Sequence, residues 1–229
     1  SSGFEKHGTY FEEKNVGYEK HMYYTYSNGN TLECWGRWKF TVANAGAYEI
    51  LVHIPRDGAT SKQARYQIYH SGQIHYLTVD QSPHNDEWIS MGIYNFIEGG
   101  NQYVQLNDNT GEPKYPAAGY KMVGYDAVKL TPRNKMLVQA SDSDKVCWLQ
   151  NGKAYHLNGP SIVDKMSSLP GWSWANNHKV PALSCPQGPV FAGIDSTGLL
   201  IKDKGNKDRT YYIENQKKRY ISGTNAFDA

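Results

Sequence analysis

The 229-residue chain lacks the features that mark several common protein classes. It has three cysteines and no Cys-x-x-Cys pair, which argues against a structural zinc site of the usual spacing. No stretch approaches the ~20 apolar residues that span a bilayer, so we expect no membrane span. The net charge is only +2, and nucleic-acid binding usually needs a clustered basic surface. We therefore predict no nucleic-acid partner.

Sequence motifs for catalysis are also lacking. The Gly-x-Ser-x-Gly turn of many serine hydrolases does not occur. A glycosidase needs two carboxylates held ~5–10 Å apart across a cleft, and no spacing in the sequence selects such a pair. We predict no catalytic residues and no enzyme activity in this chain itself. Two alternatives stay open, namely a polysaccharide hydrolase or lyase and an accessory part of a larger enzyme.

What the sequence does contain is aromatic residues, with 18 tyrosines, together with 22 glycines. Apolar and polar residues alternate with period two over several short segments, which is typical of half-buried antiparallel strands. About eight such strands, separated by turn signals, predict an antiparallel β-sandwich of the jelly-roll type. The clearest predicted strands are Ala64–His70, Gln73–Val79, Trp88–Phe96, Gln102–Leu106 and Tyr125–Leu130.

The run from Tyr66 to Leu130 has a recognisable order of pieces. It contains the strand around His75–Gln81, the tryptophan-led strand Trp88–Phe96, the turn Glu98-Gly-Gly100 and a final Gly-Tyr-Asp-Ala-Val stretch. This order resembles the C-terminal domain of golvesin and of xanthan lyase. The resemblance implies a carbohydrate-binding-like β-sandwich over residues 4–132. It implies no particular binding residues.

Residues 134–229 are predicted to form a separate small α+β region built on β-hairpins. Leu149–Leu157 aligns without a gap with Ile213–Ile221, which indicates two copies of one hairpin. The Asn151-Gly152 turn suits a type I′ hairpin. A short helix over Pro160–Met166 follows the first copy, and the matching helix of the second copy starts at Asn225, so that copy is expected to be truncated. The region resembles short repeats of secreted and envelope bacterial proteins, which implies a secreted or cell-surface location.

Aromatic side chains are the candidate ligand-binding groups. A sugar ring presents C–H groups that pack on an indole or phenol face, while polar neighbours bind its hydroxyls. Trp38 alternates with Phe40 and is predicted to be core, whereas Trp35 lies on the opposite face. For each candidate, packing in the core or in an interface is the alternative explanation. The candidates are Tyr23, Tyr24, Tyr26, Trp35, Tyr94, Tyr115 and Tyr120.

Several other residues have both a functional and a structural explanation. Asp86 and Asp108 lie in loops rich in oxygen ligands and are candidates for structural calcium, although turn formation explains them equally well. No other cofactor is expected. Asp126 interrupts an apolar strand, and we favour a carboxylate that binds backbone N–H groups over a ligand contact. Cys147 and Cys185 could form a disulfide in an oxidising compartment.

The sequence therefore predicts a non-catalytic extracellular module that binds carbohydrate or a cell-envelope polymer. The alternative is a protein–protein or adhesion module that contacts another surface protein. Tyrosine is enriched at protein interfaces as well, so the composition does not separate the two.

Overall fold

The structure is a computed structural model that describes residues 3–157, 177–186, 199–202, 210–214 and 217–221. A 3₁₀ helix spans Tyr18–Lys20. Within the described ranges no helix is long and apolar enough to cross a membrane. The strands are β1 Phe4–His7, β2 Glu12–Lys14, β3 Met22–Tyr26, β4 Trp35–Phe40, β5 Gly46–Ile54, β6 Ala64–His70, β7 Gln73–Val79, β8 Glu87–Phe96, β9 Gln102–Asn107, β10 Met122–Tyr125, β11 Val128–Pro132, β12 Met136–Ala140, β13 Val146–Gln150, β14 Lys153–His156, β15 His178–Val180, β16 Leu183–Ser184, β17 Leu199–Lys202, β18 Thr210–Glu214 and β19 Lys217–Ile221.

Two layers of strands enclose the main core. One layer is a five-stranded antiparallel sheet in the order β1-β4-β9-β6-β7. The other contains the sheets β11-β5-β8-β16 and β10-β3-β2. Alternate residues of each strand point inward, so that Ile50 and Val52 of one layer pack in the same buried cluster as Ile68 and Leu106 of the other. The predicted antiparallel β-sandwich is confirmed.

The hairpin β6–β7 has the predicted bounds. Its two strands pair from Ala64↔Val79 to His70↔Gln73 around the two-residue turn Ser71-Gly72. Both turn residues have positive φ, 46° and 79°, as a type I′ turn requires. Ser71 is more strained in this conformation than Gly72, because a Cβ atom is crowded in the left-handed region and glycine has none.

The predicted last strand over Tyr125–Leu130 is wrong, because the chain changes sheets inside it. β10 ends at Tyr125 and pairs with β3, whereas β11 begins at Val128 and pairs with β5. Asp126 lies in the break, where its carboxylate binds groups outside both strands. The crossing from one sheet to the other therefore takes two residues.

Residues 134–157 and 177–186 pack beside β5 and β8. The sheet β14-β13-β12-β15 shares a buried apolar cluster with Ala47 and Ile93, and β16 adds to β8 as a parallel strand. The Glu49 carboxylate of β5, which is 1% exposed, accepts hydrogen bonds from Arg133 and, at 2.9 Å, from His178. Contacts divide the chain into two units, residues 1–186 and residues 187–229.

The two hairpins of the predicted repeat are β13–β14 and β18–β19. The first turns at Asn151-Gly152, whose φ angles of 49° and 73° fit the predicted type I′ turn. The second pairs Tyr211↔Tyr220 in the register that the first has for Cys147↔His156. Both predicted helices, over Pro160–Met166 and from Asn225, and the second hairpin's turn lie outside the described residues. The two-domain division with a truncated second copy stays a prediction.

Candidate functional site

Three tyrosines from two parts of the chain form one aromatic cluster, which we call the tyrosine cluster. Tyr26, the last residue of β3, stacks on Tyr115 with ring centroids 4.3 Å apart. Tyr120 packs edge-on against both rings, at 5.4 Å and 4.8 Å. Tyr115 keeps 47% of its surface exposed and Tyr120 keeps 40%. The structure thus brings together three of the seven predicted aromatics and leaves two of them accessible.

The loop that carries Tyr115 and Tyr120 is fastened by Ser27, which is 1% exposed. The Ser27 hydroxyl donates to Pro113 O at 2.6 Å and accepts from Lys121 N–H at 2.9 Å. Its backbone N–H donates to Lys121 O at 2.8 Å, and its carbonyl accepts from Tyr115 N–H at 3.2 Å. Both ends of the loop are therefore held at one buried residue next to Tyr26.

A cleft of about 490 Å³ opens beside the cluster, and we call it the tyrosine cleft. Its walls come from the segment before β2, the end of β3 and the loops that follow β3 and β9. Its lining combines aromatic and polar side chains, which is the composition of sites that orient a small polar ligand. The cleft is lined by Thr9, Tyr10, Phe11, Glu12, Thr25, Tyr26, Ser27, Asn28, Glu33, Cys34, Asp108, Lys114 and Tyr115.

The charges at the cleft are paired. Lys114 Nζ lies 3.1 Å from Glu33 Oε1 across the loops, and the hydrogen bond from Lys114 lowers the pKa of Glu33. Glu12 accepts a short hydrogen bond from the Tyr24 hydroxyl. That bond, followed by burial, raises the pKa of Tyr24 far above its usual value. The cleft thus offers carboxyl oxygens as hydrogen-bond acceptors and the Lys114 side chain as a donor.

Tyr24 and Tyr23 take positions other than the predicted exposed ones. Tyr24 is only 7% exposed, and its ring packs edge-on against Tyr26 with the centroids 5.7 Å apart. It therefore contacts the tyrosine cluster from its buried side. Tyr23 is half-buried on the other side of β3, where it stacks on Phe4 at 5.7 Å. It lines a separate small pocket of about 240 Å³ together with Asp126.

The prediction that Tyr94 is an exposed aromatic is wrong. Its ring is fully buried in the sandwich core, and its hydroxyl donates to Met91 O at 2.8 Å. Trp35 lies away from the cleft, on the outer face of the five-stranded sheet, where it stacks on His7 at 5.3 Å. It is partly exposed whereas Trp38 is buried, which confirms the predicted opposite orientation of the two tryptophans.

The two calcium candidates bind backbone groups. Asp108 is buried, and its carboxylate accepts the N–H groups of Glu33 at 3.1 Å and Cys34 at 2.8 Å. Burial raises the pKa of Asp108. Asp86 accepts Arg56 N–H at 3.0 Å. Among the described residues no group of three or more acidic, histidine or cysteine side chains is placed to hold a metal ion.

Asp126 is a buried structural carboxylate, the explanation that the sequence favours. Its side chain is 1% exposed, and the His53 ring N–H donates to it at 2.6 Å. The backbone N–H of Tyr18 donates to both oxygens, at 3.2 Å and 3.0 Å. Burial raises the pKa of Asp126, although the hydrogen bond from His53 opposes that rise. Asp126 therefore ties the segment before β3 to the point where the chain changes sheets.

Both cysteines of the predicted disulfide, Cys147 and Cys185, lie in the same buried cluster, where they are free thiols. Burial raises the pKa of Cys185 to about 12. Such a thiol stays protonated at neutral pH and reacts slowly.

Sequence reasoning missed the residues that complete the cleft. Tyr10 is 65% exposed at its rim, and Glu12, Glu33 and Lys114 supply its charges. A local signal existed for one of them, because Lys114 directly precedes the predicted Tyr115. The others are brought to the cleft by strand pairing between distant segments, which no local pattern reveals.

Comparison with known proteins gives a family and several similar structures. The profile of the Golvesin C-terminal domain matches residues 1–132. Golvesin of Dictyostelium discoideum is 29% identical over 106 residues, which are 46% of this chain and 17% of golvesin. The chain therefore matches less than a fifth of that protein's length.

Three solved structures are similar over a little more than half of the chain. The Paenibacillus xanthan lyase is 22% identical with a TM-score of 0.45, over 58% of this chain and 12% of the lyase. The C-terminal CBM6 of the laminarinase LamC from Zobellia galactanivorans is 16% identical with a TM-score of 0.32, over 56% of this chain and 98% of the module. The Podospora anserina GH26-CBM35 β-(1,4)-mannanase is 9% identical with a TM-score of 0.33, over 61% of this chain and 30% of the mannanase.

Proposed function

The chain belongs to the Golvesin C-terminal domain family, and on that premise we propose that it is a non-catalytic module that binds carbohydrate or a cell-envelope polysaccharide in the tyrosine cleft. The observation that carries the proposal is the fixed and exposed pair Tyr115 and Tyr120. Their rings are held by Tyr26 and by each other, yet each keeps at least 40% of its surface accessible. A sugar ring can pack on such a platform without waiting for side chains to become ordered.

The cleft also fits a sugar in size and polarity. Ligand sites usually enclose about 300–1,000 Å³ and place a few polar groups among apolar walls, and a volume of about 490 Å³ lies within that range. Glu33, Lys114 and Asn28 line the cleft beside the aromatic rings. Each can donate to or accept from a hydroxyl group. The mechanism is equilibrium binding with no covalent step.

A location outside the cytoplasm follows from the proposed ligand, because cell-envelope polysaccharides lie there. The module would then act at the cell surface or after secretion, alone or as the accessory part of a longer enzyme. Whether a catalytic domain is joined to the module decides between these two arrangements.

An adhesion module that binds another surface protein is the second candidate. It is favoured by Tyr10, whose ring is 65% exposed at the rim of the cleft, because exposed tyrosines are enriched where proteins meet. In that case the same rings would contact a polypeptide. A hydrolase or lyase is the third class, and it predicts new reducing ends after incubation with polysaccharide.

A glycan array followed by affinity electrophoresis separates the three. The carbohydrate proposal predicts binding of at least one glycan with no new reducing ends. It also predicts that Tyr115→Ala and Tyr120→Ala abolish retention in a gel that contains that glycan. Binding that persists in both variants, or an array with no bound glycan, would contradict the proposal.

A further inference from the structure

The outer face of the five-stranded sheet is a second ordered surface, separate from the tyrosine cleft. Strand side chains alternate, so the residues between the core positions of β4, β9, β6 and β7 all point outward. We call this set the sheet face. Its aromatic residues and arginines are Trp35, Arg37, Tyr103, Arg65, Tyr69 and Tyr76.

Strand register places these side chains in rows across the sheet. Arg37, Gln105, Gln67 and Tyr76 are direct neighbours on four successive strands. The neighbouring row contains Trp35 and Arg65, on either side of Asn107. With strands ~4.8 Å apart, five strands present a surface ~19 Å across. That width accommodates several units of an extended polymer.

Arg37 is held in one orientation on this face. Its guanidinium lies 4.6 Å from the Trp35 ring and 4.2 Å from the Tyr103 ring. Arg37 Nε also donates to Gln105 Oε1 at 2.8 Å, and Gln105 in turn donates to Asn107 at 2.7 Å. A guanidinium fixed by stacking and hydrogen bonds loses little entropy when it binds an anion.

The sheet face carries an excess of positive charge. Lys39 is paired with Glu5, 2.6 Å away. Among the residues that the structure describes, no carboxylate forms an ion pair with Arg37 or Arg65. Cross-strand contacts such as the stacked Tyr69 and Tyr103 rings, 5.2 Å apart, stabilise a sheet by themselves. That role does not explain Arg37 and Arg65, for which the described residues provide no ion pair. Glu5 is the cross-strand neighbour of Arg37, but it pairs with Lys39.

The geometry points to a binding site on the sheet face for an acidic polysaccharide, a glycan whose sugars bear carboxylate groups. Arg37 and Arg65 would bind the carboxylates, since the planar guanidinium matches the two oxygens of a carboxylate. Tyr69 and Tyr76 would pack on the sugar rings, and Tyr76 is 70% exposed. No residue of the sheet face lines the tyrosine cleft, so this site stands independently of the function proposed there.

Polygalacturonate and its fully methyl-esterified form test the site, because they share one backbone and differ in charge. Alginate and hyaluronate widen the panel of acidic probes. We expect calorimetry to detect binding of at least one acidic polysaccharide, which weakens with added salt, and no binding of the esterified form. Arg65→Gln and Arg37→Gln should each lower that affinity about tenfold or more, as loss of a charge-assisted hydrogen bond does. Tyr76→Ala should also lower the affinity. Because the Tyr76 side chain is 70% exposed, its removal should not disturb folding, so misfolding would not explain a loss of binding.

One control locates the effect. Lys153→Gln removes an exposed positive charge from β14 and should leave the affinity unchanged. The proposal is overturned if none of the three acidic polysaccharides binds, or if the esterified form binds equally well. Unchanged affinity in the two arginine variants would also overturn it. Equal affinity for single-stranded DNA would do the same, because the face would then respond to charge alone.

Discussion

Tyr115 stacks on Tyr26 with their ring centroids 4.3 Å apart and their planes 21° from parallel. One ring comes from a loop and the other from the end of β3, 89 positions earlier in the chain. The strand thus fixes the position of an aromatic side chain that the loop alone would leave free. Preformed aromatic surfaces of this kind favour binding because little ordering is needed.

Ser27→Ala should loosen the loop that holds this surface. The substitution removes the hydroxyl that bonds Pro113 O and Lys121 N–H and leaves both groups without that partner. We expect a loss of about 1–3 kcal/mol in the free energy of unfolding, measured by urea denaturation, because each of the two lost hydrogen bonds contributes about 0.5–1.5 kcal/mol. Ser82→Ala is the control, since Ser82 is exposed, and it should change stability little. Equal losses in both variants would contradict the anchoring role of Ser27.

Gly17→Ala should destabilise the fold more than Gly72→Ala. Both glycines have positive φ, +82° and +79°, so both substitutions strain the backbone. An added Cβ at Gly17 would also come within 2.2 Å of Asp126 Oδ2, whereas nothing lies within 4 Å of the position at Gly72. Thermal melts of the two variants provide the comparison. A smaller loss of stability in Gly17→Ala than in Gly72→Ala would contradict this prediction, because it would mean that the Asp126 side chain can move away at little cost.

Stability should fall in acid through Glu49. Burial tends to raise the pKa of this carboxyl, but hydrogen bonds from Ser90, His178 and Arg133 outweigh burial and lower it. Because the folded pKa lies below the unfolded one, the ionised carboxylate stabilises the fold at pH above the unfolded value of about 4.3. That stabilisation is lost as the pH falls through the folded pKa.

Urea denaturation as a function of pH measures this loss. Glu49→Gln cannot ionise, so its stability should depend less on pH between about 5 and 3 than that of the unchanged protein. Glu98→Gln, in an exposed turn, serves as the control for removal of one carboxylate. The assignment to Glu49 is wrong if the dependence on pH is the same in the unchanged protein and in Glu49→Gln.

Local chemistry explains which strands could be predicted. The bounds of β6 and β7 followed from alternation on either side of Ser71-Gly72, because a type I′ turn sets the register of its own hairpin. The change of sheets after Tyr125 could not be read in this way. Asp126 is visible in the sequence as an interruption, but its partners His53 and Tyr18 lie 73 and 108 positions away.

The candidate site was only partly predictable for the same reason. Tyr26, Tyr115 and Tyr120 were recognised as aromatic candidates, yet their meeting depends on the pairing of β3 with β10 and on the anchor at Ser27. Tyr94 was misplaced although it shares its strand parity with the core residue Phe96, a signal that was available. The ion pair between Glu33 and Lys114 joins two loops that are distant in sequence. Neither loop has a local sequence pattern that predicts it.

The affinity of the Tyr115→Ala variant tests the central claim most directly. Isothermal titration with the glycan that an array identifies should give an affinity at least about tenfold below that of the unchanged protein, since loss of one stacked ring costs on the order of 1–3 kcal/mol by analogy with bases on aromatic side chains. Tyr18→Ala is the matched control, because Tyr18 is 46% exposed and Tyr115 is 47% exposed. Unchanged affinity in Tyr115→Ala, or an equal loss in Tyr18→Ala, would contradict carbohydrate binding in the tyrosine cleft.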